Sequence, residues 1–389
     1  MNIAGLHQTF VSTFGRPPDL MVRAPGRVNI LGEHVDYNDG LVLPAAIDRA
    51  VFIAAAISQD DCVSLVASDL GERASFNLEN LPEKVDSRGQ PLPGWARYPA
   101  GVAWALAEAG LDTRGIQAVY SSDIPIGAGL SSSAAVEVGF ATLWQAISGW
   151  HVDSLKLALI SQRAENAYVG VSCGLMDQFA SACGVDGHAL CFDTRSLEWE
   201  PAPLPEGIAL VIADSGVRRS LTHSGYNDRR AACEQAVEIL RQYLPQIRAL
   251  RDVQPTEFAA LSTYLPEIQR KRAEHVVKEI QRVQSALNAM RRKDRQALGA
   301  IMYAGHASLR NLYEVSTPEL DQLVELSRGL PGCIGARLTG AGFGGCTINL
   351  VESDQAAAFI TGLQAEYRPP TGGDAQVYLC HASAGASVL

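Results

Sequence analysis

The stretch PIGAGLSSSAA at 125–135 constrains the architecture more than any other part of the chain. It follows IQAVYSSDI (116–124), an apolar run that reads as a strand. After it, Val136, Phe140, Leu143 and Ile147 fall on one helical face. Gly127 and Gly129 let the backbone take positive φ and come close to a ligand. The serines then open a helix whose first amides have no partner inside it. Together with the helix dipole, these amides form an anion site made of backbone. A serine hydroxyl at such a helix start can also ligate Mg²⁺, which would supply the charge a lysine gives elsewhere. Two familiar fingerprints fail here. The P-loop lysine is absent, and Ser132 stands where the third glycine of G-x-G-x-x-G would be. A plain strand–turn–helix junction with a serine cap fits the same residues. The stretch alone leaves both readings open.

A second glycine run, TGAGFGG (339–345), does satisfy G-x-G-x-x-G through Gly340, Gly342 and Gly345. CTINLV follows it, and that is a strand where a dinucleotide site needs a helix. The run reads as a tight glycine turn leaning on the first loop.

Strand-like segments at 41–58, 62–68 and 116–124 alternate with helical patterns at 94–110, 131–147 and 153–168. The polar, proline-rich stretch EWEPAPLPEG (198–207) suits a boundary. IALVIADS (208–215) is then a strand, and residues 225–330 are mostly helical. Strands return at 346–351 and 375–382. The expectation is an α+β chain of two domains, 1–204 and 205–389, with a cleft between them. Hydrophobic residues make up 47% of the 389 positions, enough for a sizeable core. The formal net charge of -10 argues against a nucleic-acid binder. Eight cysteines occur without CxxC or zinc spacing, which favours a reducing compartment over a disulfide framework. The first residues carry no leader pattern, and no apolar run reaches about 18 residues. A cytoplasmic protein with no membrane association is expected, as a monomer or weak homo-oligomer.

APGRVNILGEHVDYNDG (24–40) crowds Glu33, His34, Asp36, Tyr37, Asn38 and Asp39 into one loop between apolar strands, with Arg27 just before it. Such a run is often a solvated loop. Anchored between hydrophobic strands, however, it has the character of a binding loop. Carboxylates and an imidazole suit a ligand with several hydroxyls at fixed angles. The H-x-D spacing offers two metal ligands and no convincing third. Further on, QRAENAYVGVSCGLMDQFAS (162–181) places Glu165 near a helix end. Asp177 follows a Cys-Gly turn and has apolar neighbours. A carboxylate so flanked is paired or functional, unless it caps a helix. Tyr226 lies near the start of another helix.

Together these stretches resemble the galactokinase branch of the small-molecule kinases that also phosphorylate homoserine and mevalonate. The resemblance rests on APGRVNILGEHVDYNDG, PIGAGLSSSAA and LTGAGFGGC in that order, supported by CGLMDQ, SGYNDRR and GHASLRNLYEVSTPELD, and spans nearly the whole chain. It implies a mixed-sheet N-terminal domain and a ferredoxin-like C-terminal domain, with the active site in the cleft. It also implies Mg²⁺-assisted transfer of phosphate from ATP to the anomeric hydroxyl of galactose. Asp177 matches the catalytic aspartate, and Arg27 the arginine beside the transferring phosphoryl group. Glu33, His34, Asp36, Gly174 and Tyr226 match sugar contacts. Pro125, Ile126, Gly127, Ala128, Gly129, Leu130 and Ser131 match the ATP-phosphate loop, and Ser68 a nucleoside-side contact. Ser131 and Glu165 match the metal ligands. Val35 stands where threonine is common, and its side chain should alternate away from Glu33 and Asp36. Two other readings are an N-acetylgalactosamine kinase and a non-catalytic galactose and ATP sensor. Relatives of the sensor kind lack part of the serine–alanine run, which is complete here from Ser131 to Ala134.

Overall fold

The computed structural model describes residues 3–125, 127–218 and 222–389. Its strands in chain order are β1 (Leu20–Asn29), β2 (Leu41–Val42), β3 (Pro44–Ile57), β4 (Cys62–Ala67), β5 (Glu72–Asn77), β6 (Ile116–Ser122), β7 (His188–Asp193), β8 (Trp199–Pro203), β9 (Ile208–Asp214), β10 (Cys333–Thr339), β11 (Cys346–Glu352), β12 (Val377–Cys380) and β13 (Ser387–Val388).

A six-stranded sheet runs β13-β1-β3-β6-β4-β5. It is mixed, because β4 pairs parallel to β6 while the other neighbours are antiparallel. β3 is buried almost throughout, as a central strand covered on both faces must be. Its alternate residues part company. Ala54 and Ala56 pack with Leu6 and Phe10 of the helix Ile3–Phe14. Ile53 and Ala55 face a larger core with Phe140 and Trp144 of the helix Ser132–Ser148. That helix starts at the end of the loop after β6, which fixes the glycine turn at the C-terminal end of an interior strand.

The second sheet, β10-β11-β9-β12, is antiparallel throughout. Taken with its helices, it is a β-α-β-β-α-β unit of ferredoxin-like order. Leu210 and Ile212 of β9 face the large core, while Val211 and Ala213 face a separate cluster with Phe359 and Tyr367. The α+β class, the mixed sheet and the ferredoxin-like half are therefore as the sequence implied.

Two features were not foreseen in the sequence. The stretch 198–207, read as a boundary, contributes β8 to a small third sheet, β2-β7-β8. Pro201 and Pro203 are tolerated there because β8 is an edge strand. β13 also returns to the first sheet and pairs with β1 through Val22 and Arg23. No helix among the described residues is long and apolar enough to cross a membrane.

Candidate active site

The sequence Ala24-Pro25-Gly26-Arg27 breaks the regular ladder of β1. The register against β3 shifts between Pro25 and Arg27, a bulge that re-aims the arginine. Gly26 is required at this bulge, because a Cβ there would lie 2.6 Å from the Leu130 carbonyl oxygen. The Arg27 amide donates to that same oxygen at 3.1 Å, and Nη1 donates to the Gly129 oxygen at 2.7 Å. The buried arginine thus holds the glycine loop against β1.

Asp177 lies in the first turn of the helix Met176–Cys183. Phe179 fastens this helix by stacking on Phe192 at 3.8 Å, and the Ser181 hydroxyl bonds the Pro25 oxygen at 2.7 Å. Arg27 Nε and Nη2 meet Oδ1 and Oδ2 of Asp177 at 2.8 and 2.6 Å. This fork is the strong geometry for a guanidinium and a carboxylate. The Ser131 hydroxyl donates to Asp177 Oδ2 at 2.5 Å. Ser131 precedes the helix Ser132–Ser148 with φ 61° and makes no side-chain cap bond. Its side chain is turned from the helix toward Asp177, so a plain serine cap is not its role.

Arg27 and Asp177 line a cavity of about 280 Å³, together with Glu33, His34, Asp36, Glu165, Gly174 and Tyr226. His34 adopts a left-handed φ of 63°. Its ring nitrogens lie 2.8 Å from the Tyr37 hydroxyl and 3.1 Å from the Ala341 oxygen. Those partners orient the ring beside Tyr226, 5.7 Å away between centroids. Gly174 leaves no room for a side chain, since a Cβ would fall 1.7 Å from Asp36 Oδ2. Burial raises the pKa of Glu33 to about 7, against the pull of Arg337. Burial and the Asp177 charge raise that of Asp36 to about 6. Val35 is buried in an apolar cluster with Phe192, away from both carboxylates.

Glu165 sits in a π-helical turn, Ala164–Val169, that continues the helix Ser154–Arg163. Such turns recur at functional positions. Gln178 Nε2 donates to Glu165 Oε2 at 2.6 Å and to Glu137 Oε2 at 3.0 Å, and the Cys173 thiol lies 3.1 Å from Glu165. Burial pushes both carboxyl pKa values up, the Asp177 charge raises both, and the Glu165 charge raises that of Glu137. Among the described residues neither acid has a basic partner in an ion pair. A hydroxyl and an uncompensated carboxylate are hard oxygen donors of the kind a divalent cation takes. No group of three His, Cys, Asp or Glu side chains able to hold a metal occurs among the described residues.

Of the other residues singled out in the sequence, Gly127 and Gly129 take φ of 71° and 78°. Pro125, Ala128 and Leu130 complete that turn, and the Ala128 amide bonds the Pro125 oxygen. Ile126 lies outside the described residues. Ser68 stands apart from the cavity, on the turn after β4, with its hydroxyl buried and unpartnered. The run 339–345 joins β10 to β11 as a tight turn. Its amides at Phe343 and Gly345 bond the Val315 and Val217 oxygens, and Ala341 meets His34. Among the described residues the turn is thus tied to the 24–40 loop and to Val217 and Val315. Sequence reasoning missed Tyr98, Ser133 and Asn227 on the cavity wall. It also missed Arg337 and Glu279 behind Glu33. An arginine inside the apolar strand CIGARLT was the available signal for Arg337.

Three family models match the chain. They are a galactokinase galactose-binding signature over residues 8–57, the GHMP kinases N terminal domain over 97–185 and the GHMP kinases C terminal region over 286–368. A galactokinase of Roseiflexus sp. (strain RS-1) is 44% identical over 98% of this chain and 95% of its own length. One of Chloroflexus aurantiacus is 43% identical over 100% of this chain and 98% of its own. The crystal structure of Lactococcus lactis galactokinase complexed with galactose superposes with a TM-score of 0.93, at 33% identity and with 100% of both chains covered.

Proposed function

This chain belongs to the galactokinase family of GHMP kinases, and from that premise we infer which of its residues carry the reaction. The enzyme transfers the γ-phosphoryl group of ATP to galactose. The observation that carries the residue-level reading is the knot of Arg27, Asp177 and Ser131, in which Arg27 and Asp177 line the cavity. Glu33, His34, Asp36, Gly174 and Tyr226 form its wall.

Phosphoryl transfer needs an oriented nucleophile, in-line approach and neutralised charge, with little covalent work by the protein. Asp177 is the acceptor for the proton of the anomeric hydroxyl, and the product is galactose 1-phosphate. Arg27, forked onto Asp177, sets the direction of its carboxylate. Its Nη1 bond to the Gly129 oxygen couples this side of the site to the loop 125–131. The loop amides and the start of the helix Ser132–Ser148 hold the phosphates of ATP. Ser68, on the turn after β4, is our candidate for the nucleoside. Glu33 and Asp36 bond sugar hydroxyls, His34 packs beside the sugar with its ring nitrogens held by Tyr37 and Ala341, and Gly174 lets the sugar approach Asp36 by the backbone.

Ser131 and Glu165 are the residues that would hold Mg²⁺. The fit rests on the two hard oxygen donors and on Glu165, buried without a basic partner among the described residues and held by Gln178 and Cys173. Two protein ligands leave positions for phosphate oxygens and water, as Mg²⁺ prefers. When bound, the cation neutralises charge on the β- and γ-phosphates. A cytoplasmic setting is supported by eight free thiols.

The test is ADP release from Mg·ATP against a sugar panel that includes N-acetylgalactosamine, with phosphorus NMR of the product. Galactose-dependent ADP and a 1-phosphate are expected. ADP release with N-acetylgalactosamine alone, or with no sugar, would overturn the reading.

A further inference from the structure

Behind the sugar-facing wall lies a second charged group, wholly out of solvent. Arg337 of β10 and Glu279 of the helix Glu267–Arg291 are each 0% exposed. Arg337 Nη2 lies 2.5 Å from Glu33 Oε2 and 2.9 Å from Glu279 Oε1. That same Glu279 oxygen accepts from the Gly32 amide at 2.9 Å, and Arg282 Nε donates to Oε2 at 2.6 Å. His275 Nε2 lies 3.2 Å from the Glu33 carbonyl oxygen, and its Nδ1 lies 2.9 Å from the Ser308 hydroxyl. Burial lowers the His275 pKa to about 4, so the ring is neutral, donating from Nε2 and accepting at Nδ1. Gly305 makes room for the guanidinium, since a Cβ there would lie 2.5 Å from Arg337 Nη1.

Stability does not account for this group. A buried ion cluster is often no better than apolar side chains of the same volume, because desolvation offsets the attraction. What the cluster does achieve is orientation. Glu33 is the member that lines the cavity, and its buried Oε1 has no partner among the described residues. Its Oε2 and its backbone on both sides are taken by residues far along the chain.

We propose that Arg337 and Glu279 are positioning residues for sugar binding: they clamp Glu33 Oε2 and the Gly32 backbone so that Oε1 is left as the acceptor for one sugar hydroxyl. The proposal rests on the galactose-kinase reading above. It adds that the sugar wall is set by residues of β10 and of the helix Glu267–Arg291, which do not touch the sugar. The guanidinium serves both acids through one nitrogen, which a lysine can imitate in charge but not in shape.

The test uses the full-length enzyme and the variants Arg337→Lys, Arg337→Met and Glu279→Gln. Affinities for galactose, for each monodeoxygalactose and for ATP are measured by calorimetry. In the wild type, removing the hydroxyl that Glu33 meets costs about ten- to a hundredfold in affinity, the worth of a hydrogen bond to a charged group. In Arg337→Lys that one penalty falls to about threefold while the others and the ATP affinity stay within about twofold. Arg337→Met loses more, or fails to fold, and then Arg337→Lys and Glu279→Gln decide the matter. Penalties that stay unchanged in folded Arg337→Lys, or that fall equally at every position, overturn the clamp. Should the wild type not bind galactose, the functional reading fails by itself. The clamp is then judged on hydrogen exchange of the unliganded protein. Residues 30–38 exchange faster in Arg337→Lys and Glu279→Gln while 132–148 do not. Unchanged exchange at 30–38 overturns it.

Discussion

Arg27 and Asp177, 150 residues apart, meet in a two-pronged contact of 2.8 and 2.6 Å. Asp177 is still about one-third exposed on the cavity side, whereas Arg27 is almost fully buried. The arginine is therefore the fixed member and the carboxylate the working one. Asp177→Ala is expected to lower kcat by about a thousandfold or more, within the range for loss of a general base together with positioning. ATP should still bind, because the loop 125–131 keeps its tie to Arg27. A coupled ADP assay and ATP calorimetry check both halves, and near-wild-type turnover would refute the assignment.

Gly174→Ala forces a methyl group into the space held by Asp36 Oδ2. The carboxylate must move, so the KM for galactose should rise about tenfold or more while that for ATP stays put. Steady-state kinetics with each substrate varied in turn gives the answer. Equal effects on both KM values would mean the helix Met176–Cys183 has shifted as a whole.

The raised pKa of Glu33, about 7, predicts an acid limb in the pH profile. If the carboxylate form accepts a sugar hydroxyl, kcat/KM for galactose falls as pH drops below about 7. Asp36, titrating at about 6, steepens the fall. Arg337, Glu279 and Arg27 are the charges that set the Glu33 value. Glu33→Gln should lower the plateau and remove the upper part of that limb. The sign for stability runs the other way. Both acids have folded pKa values above their unfolded ones, so their contribution is full below about pH 4 and is lost as pH rises to about 7. Melting temperatures of wild type and Glu33→Gln across that window should converge at the acid end.

Chelation by EDTA should abolish turnover yet leave galactose binding within about twofold, because the sugar wall of Glu33, His34, Asp36, Gly174 and Tyr226 includes neither Ser131 nor Glu165. Calorimetry with galactose in EDTA and ADP assays with added Mg²⁺ separate the two. Loss of sugar binding on chelation would place the metal in the sugar site and contradict the Ser131–Glu165 reading.

Phe179→Ala removes the ring that stacks on Phe192 beneath Asp177. Loss of a fully buried phenylalanine should cost about 3–5 kcal/mol in denaturant melts. Some kcat should be lost as well at temperatures where the protein is folded.

The strand–turn–helix at 116–148 and the crowded loop at 24–40 were legible because each rests on local signals: β-branched runs, positive-φ glycines and helical periodicity. Asp177 and Glu165 were legible only through resemblance, since a lone aspartate at a helix start has an ordinary capping role. Glu279 left no trace, because in EIQRKRAEHVVKEIQRVQ it is one acid among many on a charged helix, and only tertiary packing shows it buried. β8 was hidden by its prolines, which mark an edge strand as readily as a linker. The bulge at Pro25–Arg27 was illegible in principle, since register is a property of two strands and not of one.

The pairing of β13 with β1 has a consequence for synthesis. The strand that carries Arg27 is made long before its outer neighbour, residues 387–388. Until those residues are made, β1 therefore shows an unpaired edge of amides and carbonyls to whatever lies nearby. Nascent chains and fragments that lack β13 share that exposed edge, while a chain that includes it covers part of the edge. Ribosome-bound fragments should accordingly need a holding chaperone until β13 arrives.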